Sequence, residues 1–435
     1  MPSSPHRGDE LGVPSKGCSV TRRLTSRRVT GAILVAAFLA LAIAIYLSPR
    51  ERVFDEEYYF QYIELLHRHG LSMALLENLP GAAGPLFGVF HYTFEPLTGL
   101  DPVWMRLATF ALLLATVALV AAGLRLLEVS DAWLIAAAML VVPMTWVLAG
   151  MALTGMPTLV FVAANLVMQL RGLAALDRGG SPLPWFVGAG VLLGIAVLGR
   201  QITSVLAVTP LLLPLIDRRL LVPVLMQAVI AAAMALPLLI AWHGPVPPLD
   251  DTEAGLAPEN ALLSLGYLLV GFLLLANLPR RLLRWPALAG GIALLALNAW
   301  LEIALIFPLA SMADNFLSER GMFAYGIVCG AVLMWAGAVF LAWIADDAWR
   351  NRHDTRQVLI LAGLVALSLV PALIGNQFSS RYSAIALPYL VLAAAPHRQP
   401  GAVTSVKTAL GCAFGLAALL GYYWGDLTSD LVRTI

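Results

Sequence analysis

The sequence predicts an all-α polytopic membrane protein, and three observations lead there. Of the 435 residues, 60% are apolar and only 12% charged, against about 45–50% and about 25% in an ordinary soluble domain. The apolar residues gather into runs of roughly 20, the length an α-helix needs to cross a bilayer. Basic residues fall between the runs on alternate sides, as the insertion rule for membrane helices expects. Three cysteines (Cys18, Cys329 and Cys412) are too few for a disulfide scaffold. A formal net charge of +1 argues against a nucleic-acid partner.

Candidate spans lie near residues 30–48, 104–124, 132–150, 156–171, 184–199, 202–216, 220–242, 261–279, 286–309, 322–345, 357–375, 382–396 and 403–424. That gives about thirteen transmembrane helices. The first follows Arg22, Arg23, Arg27 and Arg28 and lacks a small-x-small cleavage site, so it reads as an uncleaved signal anchor. Residues 1–29 form a cytoplasmic tail, expected to be disordered. Residues 30–424 make one transmembrane domain, and 425–435 an outer C-terminal tail.

With the N-terminus inside, 19 of the 27 Lys and Arg lie on the cytoplasmic side, while 17 of the 26 Asp and Glu lie outside. This asymmetry also divides residues 184–216 into two helices turning near Gly199-Arg200-Gln201. One over-long helix would put Arg218, Arg219, Arg280, Arg281 and Arg284 outside, against the rule. The long outer loop is then 49–103, expected to carry short membrane-surface helices. Shorter outer segments lie near 243–260 and 310–321, with tight turns near 151–156, 200–202 and 376–382.

The first outer loop opens Asp55-Glu56-Glu57-Tyr58-Tyr59-Phe60. Tyr59, Ile63 and Leu66 share one face of a helix running to His69. Asp55 is then placed to take a proton from a hydroxyl, or simply to cap the helix. Leu79-Pro80-Gly81-Ala82-Ala83-Gly84-Pro85 is a bend, and Asp101-Pro102 an N-cap with first-turn proline for the second span, which carries Arg106. Thr154-Gly155-Met156-Pro157 makes an outer turn. Gly194 to Thr203 reads Gly-Ile-Ala-Val-Leu-Gly-Arg-Gln-Ile-Thr, and Ser380-Arg381-Tyr382 opens a late span followed by Leu387-Pro388.

In this order on one membrane face, these segments resemble the GT-C glycosyltransferases, integral membrane enzymes that take sugars from polyprenyl-phosphate carriers. The Asp-Glu opening and Arg-Gln-x-Thr turn are similar to those of the dolichyl-phosphate-glucose-dependent α-1,2-glucosyltransferases. The bacterial aminoarabinose and galacturonic-acid transferases share the looser pattern. The resemblance covers most of the first 220 residues, and the chain departs from the family's proline-led segment, which here reads Pro80-Gly81-Ala82-Ala83-Gly84-Pro85.

The resemblance implies a loop acid as catalytic base, Asp55, supported by Glu56. Burial or adjacent acids are expected to raise its proton affinity, because a free Asp is a weak base. A polyprenyl phosphate leaving group calls for a cation, and Arg200, Arg381, Arg320 and Arg106 stand at outer ends of spans. Each can alternatively snorkel or pair with an acid. Tyr58, Tyr59, Gln201 and Glu302 are candidate substrate contacts. Glu302 falls within the 286–309 run, four residues after Asn298, where an acid pairs with Arg, binds substrate or carries protons. A divalent metal can assist, though nothing demands one. His67 and His69 point to different helix faces and make a poor metal pair.

The implied function is inverting sugar transfer from a polyprenyl-phosphate donor to a lipid- or glycan-linked hydroxyl acceptor on the outer face. The implied location is the bacterial inner membrane or, alternatively, the endoplasmic reticulum. Competing functions are a secondary transporter, a polymerase or ligase of lipid-linked glycans, and a noncatalytic scaffold. The topology is tested in a variant lacking the native cysteines. A Cys at Asn78 should react with an impermeant thiol reagent in intact cells, and one at Leu282 should not; the reverse labelling rejects the orientation.

Overall fold

A computed structural model describes residues 16–244, 247, 255–277, 285–306, 316–374, 378–398 and 401–424. Among them the regular structure is helical. In chain order it comprises α1 (Lys16–Tyr46), α2 (Glu56–His69), α3 (Met73–Glu77), α4 (Leu86–Thr98), α5 (Pro102–Leu126), α6 (Ala132–Ala137), α7 (Met144–Gly150), α8 (Gly155–Asp177) and α9 (Leu183–Gly199). After them come α10 (Leu221–Trp242), α11 (Pro258–Leu275), α12 (Trp285–Leu301), α13 (Glu319–Arg350), α14 (Thr355–Leu369), α15 (Ser380–Ala384), α16 (Leu387–Ala394) and α17 (Ala402–Trp424).

Eight described helices are long and apolar enough to cross a bilayer, and a ninth crossing is formed if the bent pair α6–α7 counts as one span. The chain is an integral membrane protein. The other predicted runs are shorter helices: α9, Gln201–Leu215, Ala289–Leu301 and Leu387–His397. Their lengths have local causes. Gln201–Leu215 winds as two tight 3₁₀ turns interrupted by Pro210 and Pro214, prolines that an α-helix interior tolerates poorly. At about 2.0 Å rise per residue, a 3₁₀ segment of this size extends about 30 Å, the thickness of a hydrocarbon core. Arg200 adopts an extended conformation between α9 and this segment, so residues 184–216 are two segments rather than one helix. The α6–α7 pair bends by 88° just before α7, where Pro143 interrupts the hydrogen-bond ladder. Trp146 Nε1 donates to Leu140 O and Thr145 Oγ1 to Met139 O, satisfying carbonyls that the bend frees.

The helices sort their side chains as lipid requires. On α1, Leu34, Leu41 and Ile45 are buried, while the equally apolar Val35, Leu39 and Ile43 face outward. Packing inside is tied by small polar groups: Asn165 Nδ2 donates to Ala189 O, and Gln169 Nε2 to Gln227 Oε1. α1 lies along α17, and α5 along α8.

The 49–103 loop folds into α2, α3 and α4. Tyr59, Ile63 and Leu66 form the buried face of α2, as the periodicity predicts. Trp242 Nε1 donates to Leu76 O and fastens α3 to α10. Asp101 accepts from the N–H groups of Val103 and Trp104, capping α5 with Pro102 in its first turn.

Two expectations change. α1 begins at Lys16, so residues 16–29 are helical rather than a disordered tail. Glu302 does not lie inside a helix: α12 ends at Leu301, and Glu302 is an exposed residue in a left-handed conformation (φ 53). It is Asn298 that is buried, and its amide holds the chain after the helix end, donating to Ala304 O and Ile327 O and accepting from Ala304 N. The outer tail 425–435, residues 1–15, Leu282 and parts of the outer segments 243–260, 310–321 and 376–382 lie outside the described residues.

One buried group in the loop makes a stability prediction. His91 on α4 is fully buried against Phe87 and Phe90, with neither ring nitrogen hydrogen-bonded. Burial pushes its pKa down from 6.5 to about 3. Between those values the unfolded chain binds the extra proton, so stability is present above pH 6.5 and is lost as pH falls below it. The loss should be about 1.4 kcal/mol per pH unit, or about 2 kcal/mol by pH 5. Unfolding measured in detergent at pH 7 and 5 should show this slope in the parent and a flatter one in His91→Leu; an unchanged slope assigns it elsewhere.

Candidate active site

Asp55, Glu56, Tyr58, Tyr59, Arg106, Arg200 and Arg381 come together at one end of the bundle, where the chain leaves α1 and enters α2. The foundation there is a buried ion pair. Arg106, one turn into α5, is 0% exposed. Its Nε and Nη2 donate to the two oxygens of Glu56 at 2.9 and 2.5 Å. Nη1 donates to Ser48 Oγ and Pro49 O, and Nη2 also to Glu51 O. The five N–H groups of a guanidinium are thereby all used. Glu56, 3% exposed, accepts in addition from the backbone N–H groups of Val53 (2.9 Å) and Ala152 (2.8 Å).

This corrects two expectations. Arg106 has no donor left for a donor phosphate, and Glu56 is turned into the protein rather than toward a substrate. Both hold the end of α1, the start of α2, α5 and the 151–153 link in one arrangement.

With Glu56 fixed inward, Asp55 is turned the other way. The simple capping role fails here, because Asp55 makes no side-chain cap hydrogen bond to α2. Its carboxylate instead meets Arg381 on α15, with Nη1 2.5 Å from Oδ2 across 326 residues of sequence. Arg381 is further held by Ser379 Oγ (3.1 Å from Nε) and lies 4.9 Å from the Phe54 ring centroid. Both partners keep some solvent access, 31% for the Asp55 side chain and 17% for that of Arg381. The acids beside Asp55 are engaged elsewhere, Glu56 with Arg106 and Glu57 with Arg52 at 2.8 Å. A guanidinium, not an acid, therefore faces the candidate base.

Arg200 is the second cation. It sits where α9 gives way to the 3₁₀ segment, and Thr203 Oγ1 donates to its carbonyl, pinning the turn. That is the work of the Thr in Arg-Gln-x-Thr. The guanidinium reaches Thr154 Oγ1 from Nε (3.1 Å) and Nη2 (2.7 Å), and by a long 3.4 Å contact the Tyr59 hydroxyl. Its Cζ lies 5.8 Å from the Tyr382 ring centroid. Gln201 is half-buried at the start of the next turn.

The glycine–proline bend of the first outer loop closes the arrangement. Gly84 N–H donates to Gly199 O at 3.2 Å, and a Cβ on Gly84 would stand 2.2 Å from Leu198 O. Only glycine permits this backbone contact. Gly81 is less constrained, since the nearest atom to a Cβ there would be the movable Tyr58 hydroxyl at 2.0 Å, and its carbonyl accepts from Tyr62. Tyr58, Tyr59 and Tyr62 stack edge to face above the bend, with Tyr58 exposed and Tyr59 mostly buried.

Sequence reasoning thus brings together Asp55, Tyr58, Tyr59, Arg200 and Arg381. It misses Thr154 as the anchor of Arg200, although the residue stood in the marked outer turn, and Ser48 and Ser379, which carried no signal. It also misses Tyr422, whose ring lies 5.1 Å from that of Phe54. Arg320 is exposed on the first turn of α13, and no described contact joins it to Asp55, Arg200 or Arg381. Glu302 likewise makes no described contact with them. Among the described residues no group of three His, Cys, Asp or Glu side chains converges as a metal site.

A carboxylate paired with one guanidinium, with a second guanidinium held nearby through Tyr59 and Thr154, at one end of an apolar helical bundle, defines an integral membrane protein with a site suited to phosphate and hydroxyl chemistry. No protein-family model matches the chain, and no curated protein does. Two solved structures match, both of ArnT from Cupriavidus metallidurans. The one bound to undecaprenyl phosphate is 19% identical, covering 96% of this chain and 79% of that one at a TM-score of 0.44. The apo state is 18% identical, covering 91% and 78% at a TM-score of 0.42.

The Glu56–Arg106 pair makes a sharp contrast with Asp55. Glu56→Ala leaves a buried guanidinium unpaired and should cost about 3–5 kcal/mol, read as a large drop in unfolding temperature in detergent. Asp55→Asn removes a part-buried pair whose partners both keep solvent access and should cost clearly less. The double variant Glu56→Met/Arg106→Met should recover much of the loss; equal destabilisation by Glu56→Ala and Asp55→Asn would contradict the assignment.

Proposed function

We propose that this protein is a GT-C-type membrane glycosyltransferase that moves a sugar from a polyprenyl-phosphate carrier to a hydroxyl acceptor at the outer end of the bundle. One observation carries the reading above all. Asp55, the acid that the motif order marks as base, and Arg381, a cation that it marks for phosphate, are separated by 326 residues and touch. Arg200, the other marked cation with a described place in this cluster, stands beside Tyr59.

The chemistry follows from these groups. The carrier phosphate docks on the forks of Arg200 and Arg381, which match its oxygens in plane and spacing. A phosphate on Arg381 competes with Asp55 for the same guanidinium and so frees the carboxylate to face the acceptor. The acceptor oxygen attacks the anomeric carbon as its proton passes to Asp55. The bond from that carbon to the phosphate oxygen breaks, and the electron pair leaves with the polyprenyl phosphate. Attack opposite the leaving group inverts the configuration. The two cations stabilise the charge that grows on the phosphate. Tyr58, with its exposed ring, offers an apolar face and a hydroxyl to a sugar.

The outer face of a bacterial inner membrane is the proposed location, on the Lys and Arg asymmetry. A secondary transporter would need an acid embedded near the midplane. The residue that suggested one, Glu302, is exposed at a helix end.

Sugar transfer from a polyprenyl-phosphate donor is the test. Asp55→Asn should lower the rate about 10²–10⁴-fold, the usual share of a positioned base, while donor binding persists. Arg381→Ala should weaken donor binding as well, and Arg381→Lys should restore it only in part, because a point charge replaces a planar fork. Full activity in Asp55→Asn would overturn the proposal.

A further inference from the structure

A second polar site lies at the opposite end of the bundle from Asp55, on the side that the basic residues mark as inner. A cavity of about 120 Å³ opens between the first half of α1, the turn before α6, the end of α16 and the start of α17. Ser26, Arg27, Thr30, Asp131, Arg398 and Thr404 are among its lining residues. α1 and the α16–α17 stretch are brought together here from the two ends of the sequence, as the contact of α1 with α17 requires.

The lining carries more positive charge than it uses. Asp131, its one acid, is taken by Arg27 at 2.8 Å. Ser26 and Thr30 are satisfied by Ser405, whose hydroxyl lies 3.5 and 3.0 Å from theirs. Arg398 is left over: its Nη1 is buried and has no hydrogen-bond partner. Burial lowers the Arg398 pKa, and the Asp131 charge offsets only part of that. A buried guanidinium N–H without an acceptor is costly, and proteins rarely leave one so. The cavity beside it holds the volume of about four waters, which is also room for one tetrahedral oxyanion.

We infer that this cavity binds a phosphate group, held by Arg398 from within and Arg27 at the rim. The phosphate belongs either to the headgroup of an anionic lipid in the adjoining leaflet or to free inorganic phosphate. Arg398 supplies the buried donor, and Arg27 shares its guanidinium between Asp131 and the ligand. The site is separate from the one proposed for sugar transfer, and its occupancy is read without any transfer assay.

The test uses the full chain in nanodiscs of phosphatidylcholine, with phosphatidylglycerol added in one arm and inorganic phosphate in the other. The readouts are unfolding temperature and, for the lipid, retention in native mass spectrometry. Stabilisation by phosphatidylglycerol identifies the lipid source, and stabilisation by inorganic phosphate alone identifies the free ion. In either arm Arg398→Gln should weaken binding about tenfold or more, as loss of a charge-assisted contact does, and Arg398→Lys should weaken it less. Ser130→Asp, at an exposed position of the lining, adds an acid without disturbing the buried arginine and should also weaken binding, which keeps the test decisive if Arg398→Gln does not fold. No stabilisation in either arm, or stabilisation that survives both Arg398→Gln and Ser130→Asp, overturns the inference.

Discussion

The buried contact between Glu56 and Arg106 is the constraint on which the Asp55 end of this bundle depends. Taking two charges out of water is expensive, and attraction between them offsets that only when every remaining donor and acceptor is satisfied. Here they are. The guanidinium spends its five N–H groups on Glu56, Ser48, Pro49 and Glu51, and the carboxylate gathers two backbone N–H groups besides. Four separate stretches of chain therefore have one permitted arrangement. Because successive residues at a helix start point about 100° apart, an inward Glu56 obliges Asp55 to look elsewhere, toward Arg381.

The candidate site then rests on broken backbone rather than on regular helices. Arg200 follows the last turn of α9, and Arg381 lies on the five-residue α15. Thr154 lies where α8 begins, beyond a span bent by 88°. Such irregular backbone in a membrane protein is tolerated where it lines a polar cavity, since its freed N–H and C=O groups need partners that lipid does not offer. The Gly84 contact with Gly199 shows how tightly the outer loop is pressed onto that irregular end.

Much of this was legible in the sequence, and the limits have physical causes. Apolar runs identify helices because periodicity and length are local properties. Asp55, Arg200 and Arg381 stand out because each breaks an apolar or helical pattern in a way that structure alone does not require. The fate of each charge was not legible, because it depends on a partner far away. Arg106 and Arg381 look alike in sequence, each an arginine near the start of a span, yet one is sealed by Glu56 and the other faces Asp55. Glu302 misled for a different reason. The apolar run continues past it, while the helix stops one residue before it, at a turn that the buried Asn298 amide builds. The 3₁₀ winding of Gln201–Leu215 was hidden in the same way, since an apolar run does not declare its pitch.

The distances in sequence between paired charges also set an order of assembly. Glu56 and Arg106 are 50 residues apart, so their contact can close as soon as the second long helix has entered the bilayer. Asp55 and Arg381 close a loop of 326 residues, which waits until nearly every span has been synthesised. An emerging chain can thus complete the Glu56–Arg106 pair long before Asp55 meets Arg381. Interruption between Arg106 and α15 leaves the Glu56–Arg106 pair without the Asp55–Arg381 pair, so a truncated product keeps this scaffold and lacks the candidate site.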